Sequence, residues 1–529
     1  MIPAVFWYDL RHWLRQPVFY LYFSVFLILS FLLFMGDAGF FDRRSVLSTP
    51  VEYVNAPIRI LRFIQYLLKP LLFILPALLG ANIYRDFQHR MFSILYSYPI
   101  KERPYLTSKL TSGIILVIIV ASGIFLALIV GEFLLKLMDG AVSSYSFMHF
   151  FKVYALYLIP NLLIFGIPVF AVVALSRNIF AGFWLVILLL SFSEAAKNLP
   201  PGSLYLQALL DPLGDHALTQ PTLNWNMALI NQAPIPITRL FIINRLAWLA
   251  ISLMVWLFLG NTFKFRQQAA LVIPPIFKNK GRKGIRPFSG DDRAPKLSFT
   301  GLHHLRTLIT LSHLSRSLIL RHWLLPAFSV ALILILLLAL IKVVYGGPVT
   351  WQPLTRMVIY LPAFVSTQLI ALFTFISAAI ISSHGQDPRI GALIGPLPVK
   401  TWVFPIADFL AIFQMQFLLL GLFILVSVSF QLLSGYQHAD LKSYLLHILT
   451  YMLPHLLVWN ITSLFLMALV GRIYPGLFLL LLVWLGTLSF DSLGLQSLLL
   501  RFNEPEIAVH SAFNRSEERR VGKECATGC

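Results

Sequence analysis

The sequence predicts an all-α polytopic membrane protein made of two tandem, parallel repeats of about six transmembrane helices, the second apparently cut to five. Three observations predict it. Apolar runs recur along a chain of 529 residues that is 58% hydrophobic and only 12% charged, with a mean hydropathy of +0.79. Soluble domains run near ~25% charged, and about 20 apolar residues suffice to cross a ~30 Å hydrocarbon layer as a helix. One charged, amphipathic loop, YRDFQHRMFSILYSYPIKERPYLTSKL at 84–110, lies between two such runs, and a weaker copy begins at His384. Letters also recur in order. Arg90 and Pro99-Ile-Lys101 match Arg389 and Pro398-Val-Lys400 at one offset, and Tyr157-Leu-Ile-Pro160-Asn-Leu-Leu matches Tyr451-Met-Leu-Pro454-His-Leu-Leu at a slightly smaller one.

Residues 2–16 read as an amphipathic interfacial helix, with Phe6, Trp7, Leu10, Trp13 and Leu14 at helical spacing and Arg11 and Arg15 elsewhere. Spans are expected at about 18–36, 63–83, 112–136, 153–175, 179–193 and 242–262. Pro70 and Pro76 predict kinks in the second. The second half repeats the plan, with a lead-in at about 301–321 and spans at about 322–343, 359–383, 404–430, 444–470 and 473–489. The chain therefore divides into a first half at 1–262, a basic linker at 263–300, a second half at 301–500 and a polar end at 501–529.

Orientation follows from the cations. The linker carries Lys264, Arg266, Lys278, Lys280, Arg282, Lys283, Arg286, Arg293 and Lys296 against Asp291 and Asp292. Lys and Arg gather on the cytoplasmic side of membrane proteins, and this topology gives a ratio of roughly two to one. The N-terminus is expected in the cytoplasm. The formal net charge of +19 has the same origin. Nucleic acid is not an expected partner, because no stacking aromatics accompany a groove-sized basic patch.

The tail FNRSEERRVGKECATGC is unlike the rest and holds both cysteines, Cys525 and Cys529. The expectation is a non-native tail from about residue 515, with the native protein continuing into a twelfth span.

No G-x-x-x-x-G-K-[ST] and no H-E-x-x-H occurs, so no phosphate-cradling loop or zinc peptidase site is expected. No catalytic residue, cofactor or metal site is assigned. Ionisable residues within spans are functional candidates because lipid burial is costly: Lys69, Glu132, Arg245 and Asp408. Glu132 and Asp408 lie near span ends, where side chains reach the interface.

A span ending in Arg85-Asp86, a short amphipathic segment, then Tyr96 and Pro99-Ile-Lys101 resembles the coupling segment of ABC-2 type transporter permeases. Further blocks are similar to the permease portion of bacterial fusions of such a permease with an M1 aminopeptidase-like domain. They are Trp13-Leu-Arg-Gln-Pro17, Asn55-Ala-Pro57, Tyr84-Arg-Asp-Phe87, Leu210-Asp-Pro-Leu-Gly214 and Asn244-Arg-Leu-Ala-Trp248. The peptidase-like part does not carry over, and the second coupling segment departs from the first. The resemblance implies a multi-pass permease subunit of a bacterial cytoplasmic (inner) membrane exporter, driven by a separate P-loop ATPase subunit. That subunit would dock on 84–110 and 384–403 through Arg85, Asp86, Phe87, Arg90, Tyr96, Pro99 and Lys101, and through Asp387, Arg389, Pro398 and Lys400. The alternative is a non-transporting membrane scaffold that keeps the permease fold.

Overall fold

The computed structural model describes residues 2–38, 40, 53–88, 101–138, 147–197, 204–265, 301–321, 324–345, 355–385, 399–436 and 439–489; the described residues contain no strand. Helix α1 spans Ile2–Leu14, and α2 spans Pro17–Asp37, with Pro17 in its first turn where the missing N–H costs nothing. Helix α3 covers Pro57–Leu72, followed by a wide π turn at Pro76–Gly80 and α4 at Ala81–Gln88. The expected kink of span two is therefore an interruption around Phe73, as Pro70 and Pro76 dictate. Helix α5 is the long Glu102–Leu137.

Next come α6 (Phe147–Val153), a π turn at Tyr154–Leu158, α7 (Ile159–Ser176) and α8 (Ile179–Lys197). The segment between α8 and α12 holds three short helices, α9 (Leu204–Leu210), α10 (Asp215–Thr219) and α11 (Met227–Gln232). Thr238 then caps α12, Arg239–Thr262, its hydroxyl accepting from Phe241 N.

The remainder comprises α13 (Gly301–Arg321), α14 (Leu324–Tyr345), α15 (Thr355–Gly385) and α16 (Val403–Leu433). Helix α17 (Leu441–His447), a π turn at Ile448–Met452, α18 (Leu453–Val470) and α19 (Ile473–Ser489) follow.

Nine helical stretches among the described residues are long and apolar enough to cross a bilayer. The protein is a multi-pass, all-α membrane protein. Eleven spans were expected by sequence. The two beyond the nine are the shorter apolar stretches Ile179–Glu194 and Ile473–Trp484. The first is cut short because α8 ends in charge, at Glu194 and Lys197.

Boundaries repeat with one spacing. Phe147, Tyr154, Ile159 and Ile179 open four successive elements, and Leu441, Ile448, Leu453 and Ile473 open their counterparts. Both long helices end on a left-handed residue, Arg177 (φ 52°) and Gly471 (φ 63°), at that same spacing. Pro160 and Pro454 sit in the first turn after each π turn, where a missing N–H is tolerated.

Two aromatic contacts join distant parts of the chain. Trp184 of α8 stacks edge-on against Phe328 of α14 at 5.0 Å, and Phe478 of α19 does so against Tyr22 of α2 at 4.8 Å. Within the first half α5 packs closely on α2, since a Cβ on Gly131 would lie 2.6 Å from Phe34. Small residues at such crossings let backbones approach where lipid supplies no hydrophobic drive.

Candidate functional site

The base of the charged loop is clamped to α1 and to the α7–α8 turn, and its two ends are tied to each other. Asp9 on α1 is fully buried. It accepts from Arg85 Nη2 at 3.0 Å and from Lys109 Nζ at 3.2 Å. Lys109 on α5, itself buried, also meets Asp86 Oδ2 at 3.0 Å, and the Tyr105 hydroxyl donates to the same oxygen at 2.6 Å. Trp13 Nε1 donates to Asn82, whose amide donates to Ser112 Oγ at 3.3 Å. Phe87 is covered by the Arg177 guanidinium, 4.4 Å from its ring centroid. Arg85 thus ties the loop base to α1, Asp86 ties it to α5, and Phe87 ties it to the α7–α8 turn.

Electrostatics explain the arrangement. Burial pushes the Asp9 carboxyl above its ordinary range, and Lys109 and Arg85 only partly offset this. Two carboxylates and two cations share the site, so no bare charge is enclosed. Arg177 is the one non-glycine residue with positive φ among the described residues, a conformation costing an L residue about 1–2 kcal/mol. Its counterpart in the second half is glycine.

The expected loop residues divide. Arg85, Asp86 and Phe87 are gathered as described. Lys101 is exposed just before α5, and Lys400 is exposed before α16. Arg90, Tyr96, Pro99, Asp387, Arg389 and Pro398 lie outside the described residues.

On α1, Leu10 and Trp13 face inward beside the buried Asp9, and Trp7 is 61% exposed. Arg85 and Lys109, distant in sequence, supply the complement that makes burial of Asp9 tolerable.

The intramembrane candidates have partners. Lys69 Nζ on α3 meets Glu194 Oε1 on α8 at 2.8 Å, with both side chains about half exposed. Glu132 is buried, and Asn55 Nδ2 donates to it at 2.8 Å. Asp408 on α16 accepts from Ser315 on α13 at 2.7 Å, joining the second lead-in helix to its long neighbour.

Arg245 on α12 is buried and anchors the segment between α8 and α12. It donates to Asn161 Oδ1 at 2.8 Å and to Pro212 O at 2.9 Å. Asn244 donates to Ala208 O and Asp211 O, and Trp248 to Leu209 O. Asp211 accepts from Ser193 and from two backbone N–H groups; Asp215 accepts from Tyr157 and Lys197. Burial, then neighbouring Asp215, hold the Asp211 carboxyl above its usual range. Two of the sequence blocks, Leu210–Gly214 and Asn244–Trp248, are thereby locked to one another and to α7. These bonds join backbone carbonyls and saturated side chains, so their role is structural.

An apolar gap of about 10 Å³ lies between α3, α8, α15 and α19, room for at most one water. Phe73, Phe183 and Ile187 line one side, and Leu372, Leu477 and Leu481 the other. Among the described residues no group of histidine, cysteine or acidic side chains is placed to hold a metal. No protein-family model, curated protein or solved structure matches this chain.

Proposed function

We propose that this chain is the membrane-spanning subunit of an ATP-driven transporter of the ABC-2 permease type, an exporter in a bacterial cytoplasmic membrane. In this reading its N-terminus is cytoplasmic, and a separate P-loop ATPase subunit docks on loops 84–110 and 384–403. The observation that carries the reading is the three-way clamp on Arg85, Asp86 and Phe87. A loop that only connects two spans needs no buried ion pairs to other helices. A lever does, because displacement of the loop must move α1, α5 and the α7–α8 turn together rather than bend one link.

The two-repeat architecture is supported by the recurring boundaries, the paired left-handed caps and the two aromatic contacts. They fit a pseudo-twofold axis along the membrane normal, with a pathway between halves. Helix ends expected inside collect at one end of the bundle, as the Asp9–Arg85 and Arg103–Asn261 bonds require. Those expected outside collect at the other, as Asp37–Arg59 and Lys69–Glu194 require.

The test is purification of the chain from its native membrane with its partners. The reading expects a P-loop ATPase to co-purify with nucleotide hydrolysis, and Phe87→Ala with Arg90→Glu to release it. A well-folded double variant that keeps its full ATPase complement would remove the docking assignment and favour a scaffold.

A further inference from the structure

Among the described residues, the clamp at the base of loop 84–110 has no equal at the base of loop 384–403. The spacing that relates Arg90 to Arg389 and Lys101 to Lys400 carries each clamp residue to a defined counterpart. Arg85 falls on His384, which replaces the guanidinium by an imidazole, and Asp86 falls on Gly385, which removes the carboxylate. Tyr105 falls on Phe404, which lacks the hydroxyl, and Lys109 falls on Asp408, which reverses the charge. Asn82 and Ser112, bonded to one another beside Trp13, fall on Ile381 and Ala411. Arg177, at the spacing that relates Tyr157 to Tyr451, falls on Gly471.

The packing differs accordingly. Each lead-in helix lies against the long helix that leaves its loop, α1 on α5 and α13 on α16. In the first half Asp9 accepts from both Arg85 and Lys109, so α1 is tied to both ends of the loop. In the second, Ser315 donates to Asp408 at 2.7 Å and Arg316 to Gln414 at 3.1 Å, which joins α13 to α16 alone. Asp408 meets no cation among the described residues. The end of α15 is left to itself. His384 is exposed, and its Nδ1 stands 3.2 Å from Ile380 O in its own last turn. A Cβ on Gly385 would meet nothing within 4 Å, and neither would one on Gly471, where Arg177 covers Phe87 in the first half.

The mechanical consequence is direct. A push on loop 84–110 is passed to α1, α5 and the α7–α8 turn, because parting a buried ion pair leaves an uncompensated charge. A push on loop 384–403 is absorbed where α15 ends, since only bonds of one helical turn have to yield. The polar groups are missing together with their partners, so the second clamp is absent as a unit rather than broken.

Resting on the transporter reading and its two repeats, we propose that the two docking loops are unequal. The ATPase stroke enters the bundle through loop 84–110, with Asp9, Lys109 and Arg177 as positioning residues. Loop 384–403 is a compliant seat that holds the partner without driving its half. Nucleotide therefore moves α1, α5 and the α7–α8 turn, and leaves α13 and the start of α16 in place.

Hydrogen exchange read by mass spectrometry tests this in two stages. The first uses the full chain in phospholipid vesicles without any ATPase. Amides of 83–86 are expected to exchange at least about thirtyfold more slowly than those of 382–385, the factor given by about 2 kcal/mol between parting a buried ion pair and parting one hydrogen bond. Asp9→Ala should speed exchange at 83–86 by at least about tenfold, and Ser315→Ala should leave 382–385 unchanged. Arg177→Gly, which relieves a left-handed backbone and so keeps the fold, should also speed exchange at 83–86. The second stage uses the complex purified from native membrane, before and after ATP is added. ATP is expected to change exchange at 2–14, 102–109 and 176–179 and not at 301–321 or 403–408. Asp9→Ala should abolish the response at 2–14, and Arg177→Gly the response at 176–179, with the ATPase still bound. Equal exchange at the two loop bases, an equal ATP response in both halves, or responses that survive both variants would each overturn the proposal. Absence of any co-purifying ATPase is seen before nucleotide is added; it removes the transporter reading and this proposal with it, whereas a symmetric ATP response removes only the unequal drive.

Discussion

Gly214 offers a quantitative probe of how the segment between α8 and α12 is held. It has a φ of +71°, and a Cβ there would lie 2.4 Å from Arg245 Nη2 and 2.7 Å from its Cζ. Gly435 has a similar φ of +84° with nothing within 4 Å. Gly435→Ala therefore incurs only the backbone cost, about 1 kcal/mol. Gly214→Ala incurs that same cost and must also push aside a buried guanidinium. Displacing Arg245 breaks its bonds to Asn161 Oδ1 and Pro212 O. An unsatisfied buried group costs about 1–3 kcal/mol, so the expected total is about 2–4 kcal/mol. The assay is thermal unfolding of the two purified variants in one detergent. Gly214→Ala should lose clearly more stability than Gly435→Ala. Equal losses would mean that Arg245 does not occupy the space beside Gly214 and that the segment is held some other way.

Three further outcomes are expected. Arg177→Gly removes about 1–2 kcal/mol of backbone cost and a cation–π contact of about 0.5–2 kcal/mol, so stability should change little; with Phe87→Leu, a double-mutant cycle should show coupling of about 0.5–1 kcal/mol, and strict additivity would refute the contact. The raised pKa of Asp9 means that its neutral form favours the folded state. That contribution is fully present below the ordinary carboxylate value and is lost as pH rises through the raised one. Wild type should accordingly gain stability relative to Asp9→Asn as pH falls from neutrality, whereas parallel pH profiles would contradict the burial of Asp9. Asp408→Ala removes one hydrogen bond to Ser315 and should cost about 1 kcal/mol; a loss of several kcal/mol would point to a charged partner.

Much of the fold was legible because its signals are local. Hydropathy located the spans, and Pro160 and Pro454 marked the recurring π turns. One repeated block was also available in the letters, Arg11-His-Trp-Leu14 and Arg321-His-Trp-Leu324. What the sequence hid depends on distant complements. Asp9 reads as a surface residue of an amphipathic helix until Arg85 and Lys109 are brought to it. Lys69 has its counter-ion 125 positions away on α8. The proline-rich segment between α8 and α12 carries no local signal of its anchoring, yet Asn244 and Arg245 satisfy its carbonyls and fix it to the bundle.

The most direct measurement places a photo-crosslinking phenylalanine analogue at Tyr96, in the loop whose base is clamped, and irradiates the native membrane. The account predicts a covalent adduct with a subunit carrying G-x-x-x-x-G-K-[ST], in a yield that changes when ATP is added. A folded, membrane-inserted protein that gives no such adduct at Tyr96, with or without ATP, would contradict the coupling role on which the account rests.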